Sequence, residues 1–502
     1  MKRRTSRPGA DPAAGPLRRS LPLLLQALLV VALTLPAGFA VAPAFLGPGP
    51  SNAPAPGAPP WQQVPGTLAP RDGAAAGSAP DGIEPLTGSA PVPAPGSLAA
   101  QLNETLKVDG AGSFTGVVQD ALTGEVLFDR SGDTARVPAS NMKLLTAAAA
   151  LRTLGPERRF STKAVAGAVP GSVILTGGGD VLLGAGESAP GAVLGHAGLA
   201  SLAQSTIHAL QADGVSVPLT VLLDDSLFTG SALNPAWNPE DVAAGEAAPL
   251  FPLALNSARF DPGTTTGPRP QDAAMSAAEA FSAALSTAAA AAGMTVAPGI
   301  ARVPAGTGTP DGGTRVLAEV QSATVGQQVD LLLRTSDNYL AETMGRMAAL
   351  AAGKPGSNDG AVAAVLQQLE ELKIPTATLR AADVSGLALA NQVSARQLAE
   401  VVRAITSGAD TRLRAGLAGF PVAGLTGTLG DRYADAATSR GAGLVRAKTG
   451  TLNTVIALSG YVVDADGRLL VFSFIGNGLT PGAANKAALD RTASVLAGCG
   501  CR

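Results

Sequence analysis

The chain has 502 residues, 46% of them apolar and 15% charged, which is enough for two or three domains with real cores. Only 3% are aromatic, so the interior is built from Ala, Val and Leu. A formal net charge of -2, with no basic stripe carrying interleaved aromatics, excludes a general attraction to polyanions, and no nucleic-acid partner is expected.

Lys2, Arg3, Arg4, Arg7, Arg18 and Arg19 precede an uncharged apolar run from Leu21 to about Phe45. A positive flank before such a run reads as an export signal, and the run can cross a bilayer core, which takes roughly 20 apolar residues. Ala40-Val41-Ala42 offers a small-x-small cleavage site, but Pro43 directly after it is a poor context. The expectation for 1–45 is therefore a basic cytoplasmic tip and a signal segment kept as a membrane anchor, with the remainder outside. Residues 46–98 are dominated by Pro, Ala and Gly without helical or strand period. Such a stretch cannot bury enough surface to offset its ordering, so a disordered tether is expected. At about 3.1 Å per residue it could reach on the order of 100 Å from the membrane.

Past the tether, Gly116-Val117-Val118 and Glu125-Val126-Leu127-Phe128 flank a Thr123-Gly124 turn and predict an antiparallel hairpin. The apolar, Ala-rich run from Met142 to Leu151 has no breaker and predicts a helix beginning near Ser140. Residues 166–315 carry their own strand signals (Ser172–Thr176, Leu219–Leu223) and a helix-like run (271–292), and read as an insertion between 99–165 and 316–502. Toward the C-terminus 444–452, 455–463 and 469–475 predict three strands, the last two joined through Asp464-Ala465-Asp466-Gly467, and 483–496 a closing helix. The hairpin and these three strands together predict a five-stranded antiparallel sheet packed on helices. Cys499 and Cys501, the only cysteines, could form a local disulfide, pair between molecules or stay free. With only His196 and His208 beside them, neither a metal site nor a Ser-His-Asp triad is expected, and no cofactor is called for.

Three strings carry chemistry: Ser140-Asn141-Met142-Lys143, Ser336-Asp337-Asn338 and Lys448-Thr449-Gly450. The chain has only eight lysines, so two of them falling in ordered motifs is a strong coincidence to dismiss. Ser140 and Lys143 are three apart and share a helix face, where a neutral amine can take the serine proton. Burial and the nearby cation of Lys448 both favour a neutral Lys143. Ser336 is placed to relay a proton, and the Asn338 carboxamide can hold a substrate amide. Lys448 and Thr449 can bind a terminal carboxylate, Gly450 leaves the strand open to a ligand, and the N–H groups of Ser140 and Thr451 can stabilise an oxyanion. Alone, Ser336-Asp337-Asn338 would read as a helix N-cap and Lys448-Thr449-Gly450 as a turn.

In this order the strings are the signature shared by class A β-lactamases and penicillin-binding proteins. Further strings, namely 334–342, Asp383-Val384-Ser385-Gly386-Leu387, Phe420-Pro421-Val422-Ala423-Gly424 with Gly427-Thr428-Leu429, and 222–228, make the chain resemble the D-alanyl-D-alanine carboxypeptidase/endopeptidases, class C low-molecular-mass penicillin-binding proteins of peptidase family S13, from about residue 100 to the end. The resemblance implies an α/β (α+β) penicillin-recognising serine transpeptidase/β-lactamase-like fold interrupted by an inserted domain. It implies cleavage after a D-residue of peptidoglycan stem peptides through an acyl-serine that β-lactam inhibitors trap. It also implies that Asp241, after Trp237-Asn238-Pro239-Glu240, contacts the amino group of a stem-peptide side chain. The family's glycine after Asp383 is Val384 here, and an arginine that helps contact that side chain is replaced by Leu389.

Two rival readings follow from the same residues. A β-lactamase would share the acylating groups, but no Glu-x-x-Leu-Asn string follows Ser336-Asp337-Asn338 to position a hydrolytic water, and the large insertion is foreign to it. A non-catalytic wall-binding or penicillin-sensing module would have no need of the intact serine, amines and carboxamide.

Overall fold

The computed structural model describes residues 86, 88–303 and 315–500. The expected anchor, most of the tether and Cys501 lie outside the described residues. Among the described residues no helix is long and apolar enough to cross a membrane. Cys499 is buried and disulfide-bonded.

Helix α1 (Pro95–Thr105) includes the last residues assigned to the tether, because Pro95 suits the first helical position and Leu98 and Leu102 bury on one face. The hairpin β1 (Ser113–Asp120) and β2 (Val126–Arg130) follows, then the short β3 (Ala135–Arg136), a 3-10 turn (Ala139–Asn141) and α2 (Met142–Leu154). Next come β4 (Ser161–Ala166), β5 (Ser172–Thr176), β6 (Asp180–Leu183), α3 (Leu199–Ala212), β7 (Leu219–Asp224), α4 (Pro239–Ala243), β8 (Leu253–Leu255), α5 (Ala273–Ala291), β9 (Val296–Arg302) and β10 (Val316–Gln321). Four helices, α6 (Val325–Thr335), α7 (Asn338–Ala351), α8 (Asn358–Glu371) and α9 (Ala395–Ser407), with the two-residue β11 (Val393–Ser394) before α9, lead to β12 (Arg446–Leu452), β13 (Val455–Val463), β14 (Leu469–Asn477) and α10 (Ala483–Ala497).

The body is a five-stranded antiparallel sheet of order β12-β13-β14-β1-β2. Its strands are apolar on both faces because both are covered. Along β14, Val471 and Ile475 join the core made with α2 and α9. Their neighbours Leu470, Phe472 and Phe474 join the core made with α1 and α10. This is the period-2 alternation of a strand clasped between helix layers.

A second five-stranded sheet has the order β10-β4-β5-β7-β9, antiparallel at one side and parallel from β5 to β9. α3 and α5 connect its parallel strands and bury Leu202, Ile207, Phe281 and Leu285 against it. Residues 161–165 and 316–321 fall within the segments expected to belong to the body. They pair instead with one another as β4 and β10 and belong to this sheet. Val181, Leu182 and Trp237 share the core of α2, so the insertion is fused to the body.

Candidate active site

Ser140 sits in the 3-10 turn that opens into α2, and Ala139 before it has φ 48, a left-handed conformation that a residue with a Cβ adopts only when its surroundings hold it. Gly386 presses on this turn: its φ is +86, and a Cβ there would lie 1.9 Å from the Ala139 carbonyl oxygen. One turn into the helix the fully buried Lys143 donates to Ser140 Oγ at 2.9 Å, to Asn338 Oδ1 at 2.6 Å and to the Ser385 carbonyl at 2.7 Å.

The Ser336-Asp337-Asn338 string is a junction between two helices. Ser336, at φ 62 and ψ 34, ends α6 in the left-handed conformation, and Asp337 caps α7 by accepting from the Leu340 N–H at 3.0 Å. Asp337 thus fulfils the N-cap reading, and the same turn carries Ser336 and Asn338 to the two lysines. Asn338 uses its Oδ1 on Lys143 and donates from Nδ2 to the Glu246 carbonyl at 2.9 Å, which ties α7 to the insertion.

Lys448, on the edge strand β12, is also fully buried and donates to Ser336 Oγ at 2.9 Å and to the Thr449 carbonyl at 2.8 Å. Thr449 Oγ1 shares a hydrogen bond of 2.7 Å with Thr428 Oγ1. Thr451 is exposed beside them. Gly450 does not open the strand to a ligand. A Cβ there would meet Asn141 Nδ2 at 2.9 Å and Ala139 Cβ at 3.0 Å, so the missing side chain lets β12 lie against the turn that carries Ser140.

Burial holds Lys143 down to about 8, an effect that Asp383, Asp337, Glu342 and Glu246 oppose. Lys448 is pushed well below the usual range, first by burial and then by the charge of Lys143. The repulsion between the two amines acts on both; Asp383, Asp337, Glu342 and Glu246 offset it at Lys143, and Lys448 has no comparable set of carboxylates around it.

Beneath Lys143 lies a layer that its motif does not announce. Glu342, buried in α7, accepts the N–H groups of Val384 at 3.1 Å and Ser385 at 2.8 Å, and burial and Asp383 raise it to about 7. Asp383 is fully buried and accepts from the N–H groups of Gly386 at 2.8 Å and Ala388 at 2.7 Å, from Asn391 Nδ2 at 2.7 Å and from Trp237 Nε1 at 2.9 Å. These bonds fix the loop whose Ser385 carbonyl faces the amine. Both acids occur in the strings quoted for the resemblance, but only the fold gives them this role; Thr428 likewise stood in such a string without an assigned task.

The groups open onto a cleft of about 1230 Å³ lined by Ser140, Ser336, Asn338, Thr449 and Thr451 from the body and by Asp241 from the insertion. Asp241 lies in the short helix α4, which Asn238 caps by accepting from the Glu240 N–H at 3.0 Å. Leu389 also lines the cleft and is 60% exposed. Neither histidine lines it; His196 contacts Arg159 in the insertion's approach. Among the described residues no cluster of three His, Cys, Asp or Glu could hold a metal.

Residues 98–281 and 264–498 match the family described as D-Ala-D-Ala carboxypeptidase 3 (S13). A carboxypeptidase of Mycobacterium tuberculosis is 37% identical over 423 residues, which cover 84% of this chain and 88% of that protein. The carboxypeptidase DacB of Mycolicibacterium smegmatis is 37% identical over 424 residues with the same coverage of both. Among solved structures, penicillin binding protein 4 of Haemophilus influenzae shares the fold with a TM-score of 0.63 at 19% identity, covering 79% of this chain and 98% of that one.

Proposed function

The chain belongs to the D-Ala-D-Ala carboxypeptidase 3 (S13) family, serine DD-peptidases that act on cell-wall peptidoglycan outside the cytoplasm, and from that premise we propose that Ser140 is the nucleophile and Lys143 its base. The observation that carries this reading is the set of hydrogen bonds joining Ser140, Lys143 and Asn338 beside the pair Lys448 and Ser336 in one cleft.

Ser140 Oγ attacks the carbonyl of the first D-alanine of the terminal pair while Lys143 takes its proton. The N–H groups of Ser140 and Thr451 receive the oxyanion. The C–N bond then breaks, the departing amine is protonated through Ser336 and Lys448, and water hydrolyses the acyl-serine. The same sequence applies when the departing amine belongs to a cross-linked stem peptide. Lys448, Thr449 and Thr428 hold the carboxylate of the leaving residue, and Asn338, through its remaining Nδ2 hydrogen, holds the substrate amide. Asp241 faces a stem-peptide side chain from the insertion. β-Lactams are substrates for the first half of this cycle and stay on Ser140. The segment 1–45 anchors the enzyme in the membrane, and the Pro-rich stretch between it and the residues that pack on the body gives it reach into the wall.

Protonation gives the substrate a part in activation. In the free site burial and the charge of Lys143 press Lys448 toward its neutral form, while Asp383, Asp337, Glu342 and Glu246 favour charge on Lys143. A carboxylate arriving beside Lys448 favours its charged form, and a charged Lys448 lowers Lys143 toward the neutral base. Acylation by small β-lactams therefore increases as pH rises through about 8. Exposure to a labelled penicillin tests the assignment: the parent protein retains label on Ser140 and Ser140→Ala retains none. Label kept by Ser140→Ala removes this serine as the nucleophile, and rapid release of label from the parent reassigns the enzyme as a β-lactamase.

A further inference from the structure

The loop 382–391, whose Ser385 carbonyl accepts from Lys143, is gripped from two sides. From the body, Glu342 in α7 accepts its Val384 and Ser385 N–H groups. From the insertion comes the segment 228–237, between β7 and α4. Its Ser231 carbonyl accepts from Arg346 at 2.9 Å, and the Phe228 ring centre lies 5.4 Å from the same guanidinium. Asn234 Nδ2 donates to the Ala382 carbonyl at 2.9 Å and to Asn358 Oδ1 at 2.8 Å. Trp237, buried in the core it shares with α2, donates from Nε1 to Asp383 Oδ2 at 2.9 Å.

The Asp383 carboxylate has five donors. Four of them, Ser385 Oγ, the Gly386 and Ala388 N–H groups and Asn391 Nδ2, belong to the loop itself, and the indole alone arrives from elsewhere in the fold. Bonds inside a loop make it rigid without deciding where it stands. That takes partners outside it, here Glu342 on one side and the insertion on the other. The indole bond also acts electrostatically. Lys143 is faced by Asp383, Asp337, Glu342 and Glu246 and by the cation of Lys448, and Arg346 faces Glu342 one turn along α7. Of the four acids, Asp383 acts most strongly on Lys143. An N–H aimed at its carboxylate offsets part of that charge where no bulk water screens it.

We propose that Trp237 is a positioning residue for the base: from the insertion, its indole N–H fixes the Asp383 loop beneath Lys143 and sets how much of the Asp383 charge the amine feels. The inference rests on the peptidase reading above, in which Lys143 takes the proton of Ser140. It makes the insertion a contributor to acylation as well as a wall of the cleft.

Trp237→Phe keeps an aromatic ring in the core and removes the donor, while both Asp383 oxygens retain N–H partners. With one offsetting dipole gone, the ammonium form of Lys143 is favoured and acylation by penicillin needs a higher pH. The midpoint of the pH profile should rise by about half a unit, a loss of about threefold at neutral pH that alkaline pH restores. Asn234→Ala is the comparison: it cuts the bonds of the same segment to Ala382 and Asn358 but leaves every donor of Asp383 in place, so its midpoint stays at the parent's value. An unmoved midpoint in Trp237→Phe, or an equal displacement in Asn234→Ala, overturns the proposal. If Trp237→Phe does not fold, the parent decides, because the chain has only two tryptophans, Trp61 and Trp237. With Trp61→Phe to assign the spectrum, the Trp237 indole N–H resonance should titrate with the midpoint of acylation, and a resonance fixed across that range overturns the proposal. Either failure leaves the serine assignment standing while Ser140→Ala takes no label; label on that variant removes the peptidase reading itself.

Discussion

The antiparallel sheet of the body and the mixed sheet of the insertion have equal strand numbers and similar aliphatic interiors, yet only the body gathers buried amines. In the body, an edge strand, a helix start and a helix-to-helix turn converge, and each contributes a polar group whose partner comes from another element. In the insertion the helices pack Ala, Leu and Phe on the sheet, and its contribution to the cleft comes from the segment 238–269 between α4 and α5. The buried amines are thus held by networks that tolerate little movement, while the facing wall of the cleft comes from a segment that projects from a conventional core.

The sharpest way to break this contrast is Lys143→Ala. It leaves Ser140 without a base and should lower the acylation rate by about a thousandfold, as loss of general base catalysis does. Stopped-flow labelling with penicillin measures it, and a fall under tenfold would move the base elsewhere. Phe281→Ala tests the other side. Phe281 is fully buried in α5, so the cavity should lower unfolding free energy by about 3–5 kcal/mol in denaturant titration. Acylation of the folded protein should stay unchanged; a parallel loss would show that the insertion's core supports the chemistry directly.

A finer effect comes from Glu342→Gln. The amide oxygen can still accept the N–H groups of Val384 and Ser385, but one of the charges holding Lys143 protonated is gone. The pH profile of acylation should shift to lower pH by a fraction of a unit. Glu342 is raised from 4.5 to about 7 in the folded protein, so its contribution to stability is full below 4.5 and is lost as pH rises through about 7. The variant should flatten that slope. An unshifted profile would mean that Glu342 only positions the loop.

Much of the body is legible in the sequence because its strands are short apolar runs bounded by turn residues and its C-terminal helix is an unbroken run; β12, β13, β14 and α10 fall within two residues of the expected bounds. The serine, the two amines and the carboxamide were legible from spacing and order. What could not be read are contacts set by distant chain: the pairing of β4 with β10, the use of Gly450 for packing on Ala139, and the bonds from Trp237 and Asn391 that converge on Asp383. Local pattern says that an acid is present. Only the closed fold decides whether it faces water or holds a loop under an amine.

The pairing of β1 with β14 joins Ser113 to Asn477 across most of the folded chain. A ribosome releases the hairpin long before its partner strand is made, and contacts of such sequence separation close late. The nascent polypeptide therefore carries its serine without the lysine strand that completes the cleft. The strands β12 to β14 act as a key turned late in synthesis, and a chain cut short before β14 should be inert.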